Sequence, residues 1–181
     1  MQIPFTAYAD DCAVRGEIAL RTDRLSDFLA ATAEFDVEQA NFQALDDGRV
    51  VHADTAAVLR DDLCVVLASG PRGRADRRTW TRQYPVRARI GPYTVLGYLH
   101  SPPTIDPFRT TTRRPIVALT ACTVEYAEAG TTIRIESDTV LVNTSKIDRL
   151  ETASAEEVRL APIVAMPRKI DARSKDMTHS S

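Results

Sequence analysis

Two stretches of this chain carry the same pattern about a central glycine, and that repetition limits what the chain can fold into. In "CAVRGEIAL", starting at Cys12, residues Val14, Gly16, Ile18 and Leu20 fall on one side of a period-2 alternation, with Arg15, Glu17 and Ala19 on the other. In "YTVLGYLH", starting at Tyr93, Val95, Gly97 and Leu99 keep the same alternation. Both read as half-buried strands. A glycine inside a strand marks a bulge, a sharp bend or a close backbone approach. Gly16 and Gly97 therefore predict one bend made at the same place in two strands, as small closed sheets need at their corners.

The correspondence continues downstream. "TDRLSDFLAA" (22–31) gathers Leu25, Phe28 and Leu29 on one helical face behind Thr22 or Asp23 as a cap, which predicts a short helix over 23–31. In "PPTIDPFRTTTRRP" (102–115), Ile105 and Phe108 keep the spacing of Leu25 and Phe28, and Asp106-Pro107 reads as a cap followed by a first-turn proline. At most one helical turn fits there. At an offset of 82, Val37 then matches Leu119, Ala40 matches Cys122, Phe42 matches Val124, Ala44 matches Tyr126 and Gly48 matches Gly130. The acidic or small residues before each glycine have hairpin-turn composition. Past the turn the same offset matches Val51 with Ile133, Thr55 with Ser137, Val58 with Val140, Leu59 with Leu141, Asp61 with Asn143 and Val65 with Ile147.

This order of elements predicts a mainly β protein of two tandem, pseudo-symmetric units, each a small barrel or sandwich with one short helix, followed by a C-terminal tail. A single unit buries little surface alone, so the two are expected to face each other across a shared core. The divisions read from the sequence are a first unit over 1–68, an Arg-rich linker over 69–88, a second unit over 89–150 and an extension over 151–181. Part of 152–160 reads as helix. The apolar "LAPIVAMP" (160–167) is expected to pack on the body, and the last dozen residues to be disordered.

Charge is distributed unevenly. Residues 1–69 carry 5 basic against 13 acidic side chains, and residues 70–89 carry 7 arginines against one aspartate. No stretch approaches the roughly 20 apolar residues that span a bilayer, and the start "MQIPFTAYADD" lacks a leader pattern. Three cysteines, Cys12, Cys64 and Cys122, without a C-x-x-C, read as reduced thiols in a cytoplasmic protein. Of the three histidines, His52, His100 and His179, no two have ligand spacing, and neither a serine-nucleophile motif nor a phosphate loop is present. The sequence therefore points to no cofactor and no metal. Asp46, Asp47, Asp61 and Asp62 fit hairpin turns better than a calcium site. An enzyme built on an unrecognised Cys/His pair is the third-ranked reading.

The arginine cluster is the one feature with a functional edge. Arg72, Arg74, Arg77, Arg78, Arg82, Arg87 and Arg89 surround Trp80 and Tyr84, and Arg109, Arg113 and Arg114 follow in the second loop. Cations for phosphates beside rings for bases suit nucleic acid or another anion. The bland account is that the arginines balance the acidic first unit. The leading expectation is a non-enzymatic intracellular binding or scaffolding module with a protein partner. Nucleic-acid or anion binding is the alternative, and the candidate surface is Arg72, Arg74, Arg77, Arg78, Trp80, Arg82, Arg109, Arg113 and Arg114.

The stretches "YADDCAVRGEIAL…RLSDFLA", "VRARIGPYTVLGYLHSPP" and "RRPIVALTACTVEY…VLVNTSKID" resemble an uncharacterised bacterial family found mainly in actinobacteria. They also resemble single-copy domains of unknown function with a "GRL…SDLLN…LPLTD…VNR" pattern. The resemblance spans residues 8–150 and is carried by Arg24-Leu25-Ser26-Asp27, Gly91-Pro92-Tyr93, Leu119-Thr120 and Val142-Asn143. Ala121 and Thr144 stand where that pattern has an aspartate and an arginine. The resemblance implies a small β-fold, with no established activity and no catalytic residue.

Overall fold

The computed structural model describes residues 1–71, 80–111 and 113–159. The Arg72, Arg74, Arg77 and Arg78 positions, the "LAPIVAMP" segment and the last dozen residues all lie outside that range. Ten strands are present: β1 (Gln2–Ala9), β2 (Cys12–Ala19), β3 (Glu34–Ala44), β4 (Val50–Leu59), β5 (Leu63–Leu67), β6 (Arg82–Ile90), β7 (Tyr93–Ser101), β8 (Ile116–Glu128), β9 (Thr131–Asn143) and β10 (Ile147–Thr152). Three short helices join them: α1 (Leu25–Ala31), α2 (Pro107–Thr110) and α3 (Ala155–Arg159).

All ten strands belong to one sheet, in the order β10-β6-β7-β8-β9-β5-β1-β2-β3-β4. Every neighbouring pair is antiparallel. The protein is thus mainly β, but the two expected separate barrels or sandwiches are replaced by one open sheet. The physical reason is a seam made of backbone hydrogen bonds. β5 of the first half pairs with β9 of the second, Val65 opposite Val142, Val66 opposite Leu141 and Leu67 opposite Val140. Ala68 N–H donates to Thr139 O at 3.0 Å at its end.

The seam also explains why "LCVVL" is uninterruptedly apolar while neighbouring strands alternate. A strand buried on both faces reads as a continuous hydrophobic run. Cys64 and Val65 face one core with Val140 and Val142, whereas Leu63 and Val66 face another with Leu141. The expected single shared core is therefore corrected to two cores, one on each face of the central strands. The first holds Phe5, Val14, Ile18 and Val37 beneath α1. The second holds Val86, Val95, Leu99 and Val124, together with Tyr8, Ala13 and Leu45 of the first half.

Sharp bends let so wide a sheet enclose cores. Phe5 on β1 and Phe35 on β3 are separated by a strand, yet their ring centroids lie 5.5 Å apart. The bends fall where the two glycines are. Register shifts between Arg15 and Glu17 against β3, and between Leu96 and Tyr98 against β8. Opposite each glycine is a residue in the left-handed region, Gln39 (φ 50°) and Ala121 (φ 50°), as an extra bulge residue requires. A Cβ on Gly16 would meet Glu38 O at 2.5 Å and Val37 Cγ1 at 2.6 Å, and one on Gly97 would meet Cys122 Sγ at 2.7 Å and Thr120 O at 3.1 Å.

Other expectations need adjustment. α1 is capped by Arg24 without a side-chain bond, because Thr22 Oγ1 donates instead to Arg24 O at 2.7 Å. α2 follows the sequence reading, with Phe108 N–H donating to Asp106 Oδ1 at 3.0 Å. The strand β1 was not anticipated, and the stretch read as linker is already strand from Arg82. Past the hairpin turn the offset of 82 fails. Phe35 faces Val58 while Val117 faces Val142, so 58 corresponds to 142. The β8–β9 hairpin pairs out to Glu128 and Thr131 and closes through Ala129 and Gly130, both left-handed. The β3–β4 hairpin pairs to Gln43 and Val50 and closes through a wider loop, Ala44 N–H bonding Arg49 O.

Both glycines should resist substitution, each alanine variant losing about 1–3 kcal/mol in chemical denaturation. Cys122→Ala should recover part of the loss in Gly97→Ala, because it removes the nearest atom. No single side-chain truncation should recover Gly16→Ala, which meets the Glu38 carbonyl.

Candidate functional site

The described members of the arginine surface cluster at one end of the second half. Arg82 pairs with Ser101 and Gln83 with His100, so β6 begins where β7 ends. Trp80 stands just ahead of β6, 70% exposed and the most exposed large hydrophobic residue described. Arg82 is exposed as well. From Ser101 the chain runs through α2 to β8, which pairs with β7 from Leu119 opposite Leu99. The loop bearing Arg109, Arg113 and Arg114 thus leaves and rejoins the sheet within two strand spacings, about 10 Å, of Arg82. All three arginines are exposed.

The loop is held by its own polar bonds. Ser101 Oγ donates to Ile105 O at 3.1 Å, Thr111 Oγ1 to Phe108 O at 2.7 Å and Thr144 Oγ1 to Arg114 O at 2.7 Å. Phe108 packs against the second core and anchors the middle. The His100 ring lies between Thr81 Oγ1, one residue past Trp80, at 3.3 Å and Thr120 Oγ1 at 2.6 Å. Burial lowers its pKa, so the imidazole is neutral near pH 7. Arg87 instead reaches Glu157 at 2.6 Å and Glu151 at 3.6 Å, carboxylates of the second half. The described arginine pairs of this cluster do not cross to the acidic first half.

Among the described residues, His52 and His100 bond to partners other than cysteine. His52 Nδ1 meets Asn41 Oδ1 at 3.1 Å. Cys64 Sγ donates to Asp10 Oδ1 at 3.2 Å, and burial together with that carboxylate pushes its thiol up to about 12. Burial pushes Cys122 up to about 12, and burial with Asp11 pushes Cys12 to about 11. A thiol held neutral is a poor nucleophile. Asp46 Oδ1 accepts Asp47 N–H at 2.7 Å and Asp47 Oδ1 accepts Arg49 N–H at 2.9 Å, as turn aspartates do. Among the described residues, no three His, Cys, Asp or Glu side chains converge as metal ligands. No described helix is long and apolar enough to cross a membrane.

Sequence reasoning missed three features. Tyr8, Tyr93 and Tyr126 form a triangle with centroids 5.3–5.6 Å apart, joining the two halves. Tyr93 Oη also donates to Ala9 O. Asn143, 2% exposed, donates to Arg60 O at 3.3 Å and Leu63 O at 3.0 Å, while its Oδ1 accepts from Ser145. The third is a cleft of about 500 Å³ in the first half, floored by Val14, Phe42 and Val58 and rimmed by Asp10, Asp11 and Asp62. In the sequence Tyr93 and Asn143 carried the family resemblance, and Asn143 also matched Asp61 in the repeat, but neither showed these contacts. No family model, no curated protein and no solved structure matches the chain.

With Ellman's reagent at pH 8, Cys64 and Cys122 of the folded protein should react at the rate of unfolding, while the half-buried Cys12 reacts slowly but ahead of them. Immediate reaction of Cys64 or Cys122 would contradict their neutral, buried state. The Lys146 ammonium, 2.6 Å away, and the Cys64 thiol hold the Asp10 carboxyl below its usual range. Its contribution is therefore present above the ordinary aspartate pKa and is lost as pH falls through the lowered value. Asp10→Asn should flatten that part of the acid limb in melting temperature against pH.

Proposed function

We propose that the chain is a non-enzymatic binding or scaffolding module, one five-stranded unit used twice. Its recognition surface is the end of the second half bearing Trp80, Arg82, Arg109, Arg113 and Arg114. The observation that carries the surface is the exposure of Trp80 beside exposed arginines. A free tryptophan ring costs solubility, and rings with arginines are what interfaces use as anchors. The neutral state of the described thiols, and the Asn41 and threonine partners of His52 and His100, support the non-enzymatic reading.

Several observations support the repeated unit. Both halves run strand, strand, helix, strand, strand, 3₁₀ turn, strand. In each, the fifth strand pairs with the first, and the remaining strands follow in order. Even the irregularities agree. β5 skips a residue between its partners for Tyr8 and Ala9, and β10 skips one between Ile147 and Arg149. Pro4 and Pro85 occupy matching places in β1 and β6.

A protein partner is the leading reading. Single-stranded nucleic acid is the second, favoured by the same ring among arginines. Tagged protein should capture a specific partner from a native extract, and the double variant Trp80→Ala/Arg82→Ala should reduce that capture at least tenfold. Nuclease treatment separates the two readings. A nuclease-resistant complex supports a protein partner. A signal lost to nuclease, with oligonucleotide affinity falling steeply in salt, supports the second. Capture indifferent to the double variant would remove this surface from the account.

A further inference from the structure

We propose that the protein assembles head to tail with further copies of itself, the free edge of β10 on one copy pairing with the free edge of β4 on the next, in the manner of the β9–β5 seam. The proposal rests on reading the two halves as one unit used twice. In that reading β9 is the fourth strand of its unit and β5 the fifth strand of the other. The molecule ends in the same two edges, a fourth strand (β4) and a fifth (β10), neither paired among the described residues.

The backbone of these edges is set to repeat the seam. Arg60 N–H donates to Ala33 O at 2.8 Å, which makes 33/60, 35/58 and 37/56 the hydrogen-bonded pairs of β3 and β4. Thr55, Ala57 and Leu59 therefore turn their N–H and C=O groups outward. Thr144 N–H donates to Pro115 O at 3.0 Å, which by the same alternation points Thr139, Leu141 and Asn143 at β5. On the other edge, Ala153 N–H bonds Pro85 O at 2.9 Å, leaving the backbone groups of Leu150 and Thr152 outward. They correspond to Val66 and Ala68 in the seam. The implied register sets Leu150 against Ala57 of the next copy and Thr152 against its Thr55.

Side chains favour the same occupant. β4 is a ten-residue edge with no proline or lysine to guard it, and Val50, Val51 and Leu59 on it are 57%, 58% and 48% exposed. Beside it lies the acidic-rimmed cleft of about 500 Å³. In the second half the matching positions Tyr93, Val95, Val124 and Val142 are instead packed with Tyr8, Cys64 and Val65 from the first half. Among the described residues the cleft is thus the one mouth without a unit over it. The positions that would cover it from a neighbouring copy include Arg89 and Arg149, the counterparts of Tyr8 and Val65. These arginines face each other across β6 and β10, and both are exposed. Like charges directly opposed destabilise a sheet, and Arg149 has only Glu151, at 2.9 Å, to offset it. Asp11 and Asp62 of the next copy supply counter-charge there, Asp10 being already paired with its own Lys146 at 2.6 Å.

The test is light scattering on the purified full chain, with variants blocking one edge at a time. Ala57→Pro and Thr152→Pro each remove an outward N–H, which a free edge tolerates. The unaltered chain should run above the mass of one chain and dissociate with salt. Each variant alone should be a single chain, and an equimolar mixture should form a dimer, because each keeps the edge the other lacks. Circular dichroism checks that both variants fold, and Leu59→Lys replaces Ala57→Pro if that one does not. A monomeric unaltered chain would overturn the assembly while leaving the repeated unit, which turns on intrachain register, in place. So would a Thr152→Pro chain that still self-associates alone, since that marks a symmetric β4–β4 contact. Monomers with β4 amides already protected would assign the edge to the chain's own residues 160–181.

Discussion

The hydrogen-bonded seam between β5 and β9 governs the rest of the structure. It takes two stretches that would each leave an edge bare and joins them into ten strands. Because β5 and β9 lie mid-sheet, both strands feed both cores: Cys64, Val65, Val140 and Val142 enter one, and Leu63, Val66 and Leu141 the other. Each fully buried valine or leucine there is worth about 1.5–3 kcal/mol. Asn143 fastens the same place with polar bonds, its side-chain amide donating to the carbonyls of Arg60 and Leu63.

Five strands per half is an odd number, and in an antiparallel sheet that has a consequence. On the proposed reading of one unit used twice, β1 and β6 occupy matching places but run in opposite directions, so the second half is turned over relative to the first. The concave side of one half is then the convex side of the other. On that reading the two cores lie on opposite faces, each drawing residues from both halves. It also leaves unlike edges at the two ends of the molecule, an apolar one on β4 and an arginine-bearing one at β10.

Features carried by local pattern were legible in the sequence. Gly16 and Gly97 marked the bends because a Cβ at either would lie 2.5–3.1 Å from a carbonyl oxygen of the neighbouring strand. The α1 face and the Asp106 cap of α2 followed from helical spacing and proline geometry. The seam was not legible, because β5 and β9 are distant in sequence and an apolar trio does not name its partner. β1 was missed because Pro4 and Tyr8 obscure its alternation. The wider β3–β4 loop hid the change of offset, since steps of 82 and 84 keep the same side-chain parity. For the candidate surface, composition identified Trp80 and its arginines, but only the β6–β7 register shows that the distant loop carrying Arg109, Arg113 and Arg114 returns beside them.

Native-state hydrogen exchange tests the seam most directly. If one sheet carries both halves, the amides of Val66, Ala68 and Leu141 exchange only through global unfolding, with the same free energy and denaturant dependence as the core amides of Val37 and Val124. Seam amides that exchange through a cheaper opening, with the halves then melting in separate steps, would show two independent sheets in contact and contradict the account.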